Sequence, residues 1–182
     1  MLPAYSGSTL YVNLSNGKIT KKPLPVDLVK IYLGGKGLGT RFLYDSVEPT
    51  VDPLEPENKL IFTTGPATGT IVPNKGYILC FKSPLTGIYA SCSSGGRFAV
   101  ELKQAGYDVL IVEGRSEKPV YLWIDDDQIQ IKDAKHLWGK DIFETNNVIM
   151  EELGDNEISV ARIGPAGEKI VRIAGVFNDY SR

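Results

Sequence analysis

Residues Lys59–Thr63 read KLIFT, a short run that is almost entirely apolar. Two further runs have the same character, Tyr77–Phe81 (YILCF) and Val109–Val112 (VLIV). A strand that is covered on both faces shows continuous rather than alternating apolar residues. The three runs therefore predict three short strands buried on both faces, and the rest of the fold is expected to form around them.

Hairpins are predicted on both sides of these strands. The Asn-Gly pair at 16–17, between two strand-like segments, is the strongest short-range hairpin signal in the chain. The predicted pairs are Thr9–Leu14 with Lys18–Pro23 across Ser15–Gly17, Val120–Ile124 with Gln128–Lys132 across the polar turn Asp125–Asp127, and Glu157–Ile163 with Lys169–Val176 across Gly164–Gly167.

Four helices are indicated by apolar residues spaced three or four positions apart. In chain order these residues are Leu28, Ile31 and Tyr32; Leu38 and Phe42; Phe98, Leu102 and Ala105; and Ile149 and Leu153. The last helix also has a capping box over Asp141–Glu144 and a C-cap at Gly154. Strands outnumber helices, and the predicted fold class is α+β: β-rich, with mostly antiparallel sheets and a few short helices. We expect a single domain over residues 1–182.

The charge and the hydropathy pattern exclude several kinds of partner. The 182 residues carry a formal net charge of −2, and acidic and basic residues are interspersed. No basic face that would favour nucleic acid is evident, and no apolar run reaches the roughly 18 residues of a membrane span. The N-terminal sequence has no signal-peptide character, so we expect a cytoplasmic protein.

The chain is poor in residues that carry out redox or nucleophilic chemistry. It has one histidine and two cysteines. Cys80 lies in an apolar run and is expected to be a small buried hydrophobic residue, whereas Cys92 lies among serines and glycines and is expected to be more exposed. Two cysteines cannot supply a four-ligand zinc or iron–sulfur site. The chain by itself is therefore expected to have no catalytic residues.

Glycine-rich turns follow several of the predicted elements. They are Gly34–Gly39, Thr64–Gly69, Ser83–Gly87, Ser93–Gly96 and Gly164–Gly167. Glycine allows backbone N–H groups to approach a ligand closely, so such turns at one sheet edge could surround a flat, phosphate-bearing cofactor.

Two of these turns have more than one interpretation. Gly34–Gly39 follows a predicted helix rather than a strand, which favours a structural junction between helices over a dinucleotide site. Ser93–Gly96 precedes the Phe98 helix, and this position suits an anion site as well as an ordinary serine N-cap.

Several strings occur in an order and spacing that identify a family. They are Gly34–Gly39, Asp52–Leu60, Thr64–Thr70, Lys82–Gly87, Ser94–Gly96, Ala105–Asp108, Glu117–Tyr121, Ile163–Glu168 and Asn178–Asp179. Together they closely resemble the N-terminal domain of the tungsten-containing aldehyde:ferredoxin oxidoreductases, and the resemblance covers nearly the whole chain.

The resemblance implies a cofactor platform within a much longer enzyme. Members of the family oxidise aldehydes to carboxylates and pass the electrons through a [4Fe–4S] cluster to ferredoxin. Their N-terminal domain lies against a bis-molybdopterin tungsten cofactor, for which molybdenum is an alternative metal and magnesium a companion ion. The cluster ligands and the catalytic residues come from the remaining domains of the same polypeptide, and association into a homodimer is compatible with this organisation.

Matched to the family, the cofactor contacts fall in three places. The first is Lys75 and Gly76, where the family commonly has an arginine at the second position. The second is Ser93, Ser94, Gly95 and Gly96, where the family often has asparagine in place of Ser93, so that Ser93 is the candidate for a phosphate-bound magnesium ion. The third is the segment from Asn178 to Arg182, in which Arg182 matches a phosphate contact. Loss of the arginine at Gly76 leaves only the point charge of Lys75 there.

Two alternatives from other functional classes remain at this point. One is a stand-alone module that binds or hands over pterin, or that assists assembly, without catalytic activity. The other is a fragment of a nicotinamide-dependent dehydrogenase, which would bind nicotinamide nucleotide.

Overall fold

The computed structural model describes residues 2–73 and 76–179. Ten strands and five α-helices are present in this part of the chain. The strands are β1 Ser8–Asn13, β2 Lys18–Pro23, β3 Lys59–Thr63, β4 Tyr77–Lys82, β5 Tyr89–Ser94, β6 Val109–Glu113, β7 Val120–Asp125, β8 Gln128–Asp133, β9 Ala161–Arg162 and β10 Phe177–Asn178. The helices are α1 Val26–Tyr32, α2 Gly35–Ser46, α3 Phe98–Gln104, α4 Ile142–Leu153 and α5 Pro165–Glu168, and Lys135–Leu137 forms a 3₁₀ turn.

A six-stranded sheet organises the fold. Its strand order is β2-β1-β6-β3-β4-β5, and every neighbouring pair is antiparallel except β1 with β6. β6, β3 and β4 occupy the interior of the sheet, as the three apolar runs predict. The predicted α+β class with mostly antiparallel sheets is confirmed.

One face of the sheet is covered by α1 and α2. Val29, Leu38 and Leu43 from the helices pack with Ile61 and Cys80 from the strands. A Cβ atom added at Gly39 would lie 2.7 Å from the sulfur of Cys80. α2 therefore lies so close to the sheet that only glycine fits there, and Cys80 is buried as predicted.

The other face is covered by α3 and by the β7–β8 hairpin. Leu79 and Leu110 from the sheet pack with Leu102 of α3, and half-buried residues of β7 and β8 join this cluster. Three aromatic rings, those of Phe62, Tyr77 and Phe98, lie with centroids 5.4 to 5.7 Å apart. A small third cluster, formed by Ala134, Leu137, Ile149 and Val160, holds α4.

Most predicted elements agree with the structure. The β1–β2 and β7–β8 hairpins form, and Gly34 is the junction between α1 and α2, with the rest of the Gly34–Gly39 stretch forming the start of α2. The capping box at Asp141 and the left-handed C-cap at Gly154 are both present on α4. In α1, Leu28 and Tyr32 pack against the core as predicted, but the fully buried residue is Val29, and Ile31 is exposed.

The predicted last hairpin, Glu157–Ile163 with Lys169–Val176, is wrong. The pairing is shorter and joins β9 to β10, and between them Pro165 begins the four-residue helix α5. Proline at the first position of a helix is favourable because its missing N–H is not needed there. Ile170 then takes a positive φ of 56°, which interrupts the extended backbone that a strand from Lys169 onward would require.

No helix in residues 2–73 and 76–179 is both long enough and apolar enough to cross a bilayer.

Candidate functional site

Those predicted cofactor contacts that the structure describes lie at one end of the sheet, around the start of α3. Of these residues, Lys75 and Arg182 lie outside the described residues. Gly76 is half-buried immediately before β4, and its carbonyl oxygen accepts a hydrogen bond of 3.3 Å from the Thr68 hydroxyl. The structure thus describes five of the seven predicted contacts: Gly76, Ser93, Ser94, Gly95 and Gly96.

Ser93 and Ser94 belong to an edge strand rather than to a turn. They end β5, and they pair with Ile78 and Tyr77 of β4. Successive side chains of a strand point to opposite faces, so the two serines are separated. The Ser94 hydroxyl donates to Asn178 Oδ1 over 2.6 Å, whereas Ser93 is exposed on the face opposite to Ser94.

Gly95 and Gly96, which we call the Gly95–Gly96 turn, connect β5 to α3. A Cβ atom added at Gly95 would meet no atom within 4 Å, so the backbone there faces open space. Gly96 is the opposite case, because its φ is 98° and an added Cβ would overlap the Asp179 carboxylate. The packing therefore requires glycine at position 96, whereas at Gly95 the backbone can be approached from outside.

Asn178 holds this turn from the other side. Its side chain is fully buried, and Nδ2 donates to the Gly95 carbonyl oxygen over 2.8 Å. Its Oδ1 accepts from the hydroxyl groups of Ser94 and Tyr77 at 2.6 and 3.3 Å. Burial raises the pKa of Tyr77, which keeps its hydroxyl group a donor. A buried amide with partners on both ends fixes its neighbours firmly.

Asp179 caps α3 from a distant part of the sequence. Its Oδ2 accepts the Arg97 backbone N–H over 2.7 Å, and its Oδ1 accepts the Ser159 hydroxyl over 2.6 Å. Arg97 occupies the N-cap position without a side-chain cap of its own. A negative charge is favourable at a helix N-terminus, and the Asp179 carboxylate supplies it at the start of α3. Asp179 rather than a serine is therefore the cap of α3, and the Arg97 N–H is bonded within the protein.

Arg162 ties the Asp179 segment to the rest of the molecule. It is only 5% exposed, and its guanidinium donates to the carbonyl oxygens of Ile142, Val160 and Asp179. Arginine has five donors in a rigid plane, which suits the simultaneous contact with three carbonyl groups.

The sequence reasoning did not find the roles of Ser159, Arg162 and Asp179. The signal in the sequence that could have indicated these roles is Arg162, a charged residue within the largely apolar stretch Ile158–Ile163.

A cavity of about 710 Å³ lies beside this network. It lies between the sheet and the elements β7 and α4. Apolar side chains such as Phe62, Leu122 and Ile149 form much of its wall. At its border Arg97 and Glu101 pair with each other over 2.8 Å. In the part of the chain that the structure describes, no group of three His, Cys, Asp or Glu side chains is placed to hold a metal ion.

A family model described as "Aldehyde ferredoxin oxidoreductase, N-terminal domain" matches residues 9–182. The chain belongs to this family. The match agrees with the resemblance that the ordered glycine-rich strings carry, and it confirms the domain to which they were assigned.

Relatives with known names agree with this assignment. The tungsten-containing aldehyde ferredoxin oxidoreductase of Pyrococcus furiosus is 49% identical over 97% of this chain, and that of Pyrococcus horikoshii is 48% identical over 98%. The "Aliphatic sulfonate oxidoreductase, WOR-like subunit" of Pyrococcus furiosus is 34% identical over 95% of the chain. The chain spans only about 30% of the length of these relatives.

A solved structure has the same fold. It is the "Active site complex BamBC of Benzoyl Coenzyme A reductase in complex with 1,5 Dienoyl-CoA", which superposes with a TM-score of 0.95 at 40% identity. The alignment covers 98% of this chain and 27% of that one. The domain therefore occurs in proteins whose names specify different substrates.

Proposed function

We propose that this chain holds the pterin side of a tungsten cofactor in an enzyme that oxidises aldehydes to carboxylic acids and passes the electrons to ferredoxin. The observation that carries the proposal is the Gly95–Gly96 turn, whose backbone is exposed at Gly95 and fixed at Gly96. The names of the relatives that are 48–49% identical supply the metal and the substrate class.

The residues present fit a phosphate-bearing pterin. Backbone N–H groups that face open space bind phosphate oxygens well, and a turn that is already ordered loses little entropy when it binds. Ser94 and Asn178 provide this order from within the protein. The two oxygen atoms of the Asp179 carboxylate accept hydrogen bonds from three donors of the protein itself, which partly offset its negative charge beside the turn.

The remaining contacts are assigned from the family pattern. Lys75 and Arg182 would provide positive charge for the phosphates, and Gly76 would leave room beside them. Ser93 is the candidate ligand for a magnesium ion bound to phosphate. Its position on the other face from Ser94 means that these two serines would serve different atoms of the cofactor.

The overall reaction is balanced by water and by an external electron acceptor. An aldehyde and water give a carboxylate, three protons and two electrons, and ferredoxin takes the electrons one at a time. When bound, the cofactor supplies the two-electron oxidation. We assign the [4Fe–4S] cluster and the residues that contact the substrate to the remaining domains of the polypeptide, and to this chain the task of holding and orienting the pterin.

The sequence identities to the relatives favour an aldehyde as the substrate over a sulfonate or a coenzyme A thioester, which appear in the names of other relatives. The aldehyde enzymes are 48–49% identical to this chain, against 34% for the sulfonate oxidoreductase and 40% for the benzoyl coenzyme A reductase chain. Reduction of ferredoxin that depends on an aldehyde and not on a sulfonate is the expected result for the purified enzyme.

A substitution at Gly95 tests the proposal without disturbing the fold. In Gly95→Val the new side chain enters open space, so we expect the free energy of unfolding to change by less than about 0.5 kcal/mol. The same side chain would occupy the approach to the cofactor. We expect the tungsten content of the purified polypeptide, measured by plasma mass spectrometry, to fall at least severalfold together with aldehyde oxidation.

Gly96→Ala is the matched comparison. Its Cβ overlaps the Asp179 carboxylate and its φ is left-handed, so it should lower the free energy of unfolding by about 1–3 kcal/mol as well as the tungsten content. Full tungsten content in Gly95→Val would contradict the proposed cofactor contact. A protein that retains pterin and metal but never reduces ferredoxin with an aldehyde would favour the stand-alone binding module.

A further inference from the structure

Helix α3 has a specific contact at each end. Its N-terminus carries the Gly95–Gly96 turn and the bond to Asp179, and Lys103 lies in its last turn. Lys103 contacts the Thr64–Thr70 loop, the part of the chain that leads from β3 towards Lys75 and Gly76. The Gly95–Gly96 turn and the Thr64–Thr70 loop thus contact opposite ends of one seven-residue helix.

Lys103 is an unusual residue for its position. It is 8% exposed, and its Nζ donates to the carbonyl oxygens of Gly65 and Pro66 at 2.6 and 3.2 Å. The ammonium also lies 5.7 Å from the ring centroid of Tyr5. Burial lowers the pKa of Lys103, and the nearby Asp108 charge opposes this shift. A buried cation is costly unless it is well solvated by the protein, and here carbonyl groups provide the solvation.

The Thr64–Thr70 loop is also fixed from within. Thr68 is buried, and its hydroxyl accepts from the Gly65 N–H over 3.2 Å and donates to the Gly76 carbonyl over 3.3 Å. At its start, the N–H and hydroxyl of Thr64 both donate to the Asp108 carbonyl. The Thr68 hydroxyl therefore connects Gly65, at the start of the loop, to Gly76 at its end by two hydrogen bonds.

We propose that Lys103 is a positioning residue for the cofactor site. It holds the Gly65 and Pro66 carbonyls at the far end of α3 and thereby fixes the loop whose Thr68 hydroxyl is bonded to the Gly76 carbonyl, while the pairing of β4 with β5 places Gly76 beside the Gly95–Gly96 turn. The inference rests on the proposed function, because the cofactor would contact Gly76 at the end of this loop. An ordinary core position would be filled by an apolar side chain at no electrostatic cost, whereas lysine brings donors to two carbonyls.

Lys103→Met tests this inference, with Lys59→Met as the matched control. Lys59 is another largely buried lysine, but it pairs with Glu113 at the far side of the sheet. The first measurement is amide hydrogen exchange of peptides that cover residues 64–76. We expect exchange there to become about tenfold faster in Lys103→Met, since a hydrogen bond from a charged donor is lost, and to stay unchanged in Lys59→Met.

The second measurement is the tungsten retained after gel filtration of the whole polypeptide. Lys103→Met should retain several times less tungsten than the wild type, and Lys59→Met should retain as much as the wild type. Lys103→Gln, which keeps the two N–H donors of an uncharged amide, should lie between Lys103→Met and the wild type. If Lys103→Met does not fold, Lys103→Gln gives the same comparison. Unchanged exchange of residues 64–76 overturns the inference, and so does a loosened loop with full tungsten retention.

The two proposals fail in distinguishable ways. A wild-type protein without tungsten or pterin overturns the proposed function, and the positioning role for a cofactor with it. A wild-type protein that holds tungsten, together with a Lys103→Met variant that holds it equally well, overturns only the role of Lys103.

Discussion

The six-stranded sheet and the segment from Ser159 to Asp179 are stabilised in different ways. The sheet has completely buried apolar residues such as Leu10 and Ile61, and five backbone ladders join its strands. The segment has a ladder of two residue pairs, and several of its apolar residues are exposed, Ile173 by 74%. Hydrogen bonds donated by Arg162 and Asn178 and accepted by Asp179 hold it in place. The Gly95–Gly96 turn is therefore positioned by polar contacts, whereas buried apolar residues of the sheet stabilise the domain.

The largest effect is expected in the sheet. Leu10→Ala removes a side chain with no exposed surface and should lower the free energy of unfolding by about 3–4 kcal/mol, through lost burial and an unfilled cavity. Urea denaturation measures it. The control is Ile173→Ala in the segment, where we expect a change below about 0.5 kcal/mol. Equal losses at the two positions would remove the distinction between the regions.

A smaller and more local effect is expected for Arg162→Met. The buried carbonyl groups of Ile142, Val160 and Asp179 lose their donor, which should cost about 2–3 kcal/mol. Hydrogen exchange should then increase in residues 159–179 before it increases in the sheet. If the amides of β3 and β6 exchange faster to the same extent, the sheet and the segment from Ser159 to Asp179 unfold as one cooperative unit and are not stabilised separately.

The smallest effect concerns a charge pair within the sheet. The hydrogen bond from Lys59 holds the pKa of Glu113 below its ordinary value. A carboxylate with a lowered pKa in the folded state stabilises the fold above its unfolded pKa, and this contribution is lost as the pH falls through the folded pKa. Glu113→Gln should therefore make the acid side of the stability profile less steep, by less than about 1 kcal/mol because the pair is partly exposed.

A double-mutant cycle checks the origin of this effect. In a Lys59→Met background, Glu113→Gln should leave the acid side of the profile nearly unchanged, because the partner that lowers the pKa is already absent. Thermal unfolding between pH 3 and pH 7 measures all four proteins. An undiminished effect of Glu113→Gln in that background would assign it to another neighbour, such as Asn13.

The interior of the sheet could be predicted because its signals are local. β3, β4 and β6 are continuous apolar runs, and α4 begins and ends with residues whose capping roles depend on neighbours within the helix. β5 was not predicted, because the sequence YASCSS is small and polar, as suits an exposed edge strand. Its backbone pairing with β4, rather than its side chains, makes it a strand.

The candidate site could be predicted only in part. The family pattern brought attention to Ser94, Gly95 and Gly96, but no local signal shows that Asp179 caps a helix 82 residues earlier. The last hairpin was wrong because the extended propensity of 169–176 is overridden by the turn at Ile170. Lys75 and Arg182 stay predictions.

The length of α3 is constrained as strictly as the chemistry at its ends. From Arg97 to Lys103 the helix advances about 9 Å, and each inserted residue would turn Lys103 by about 100° about the axis. An insertion or deletion within the helix would thus direct the ammonium away from the Gly65 and Pro66 carbonyls even if every contacting residue were retained. Substitutions along the exposed side of α3 should be tolerated during divergence of the family, whereas changes in its residue count should not.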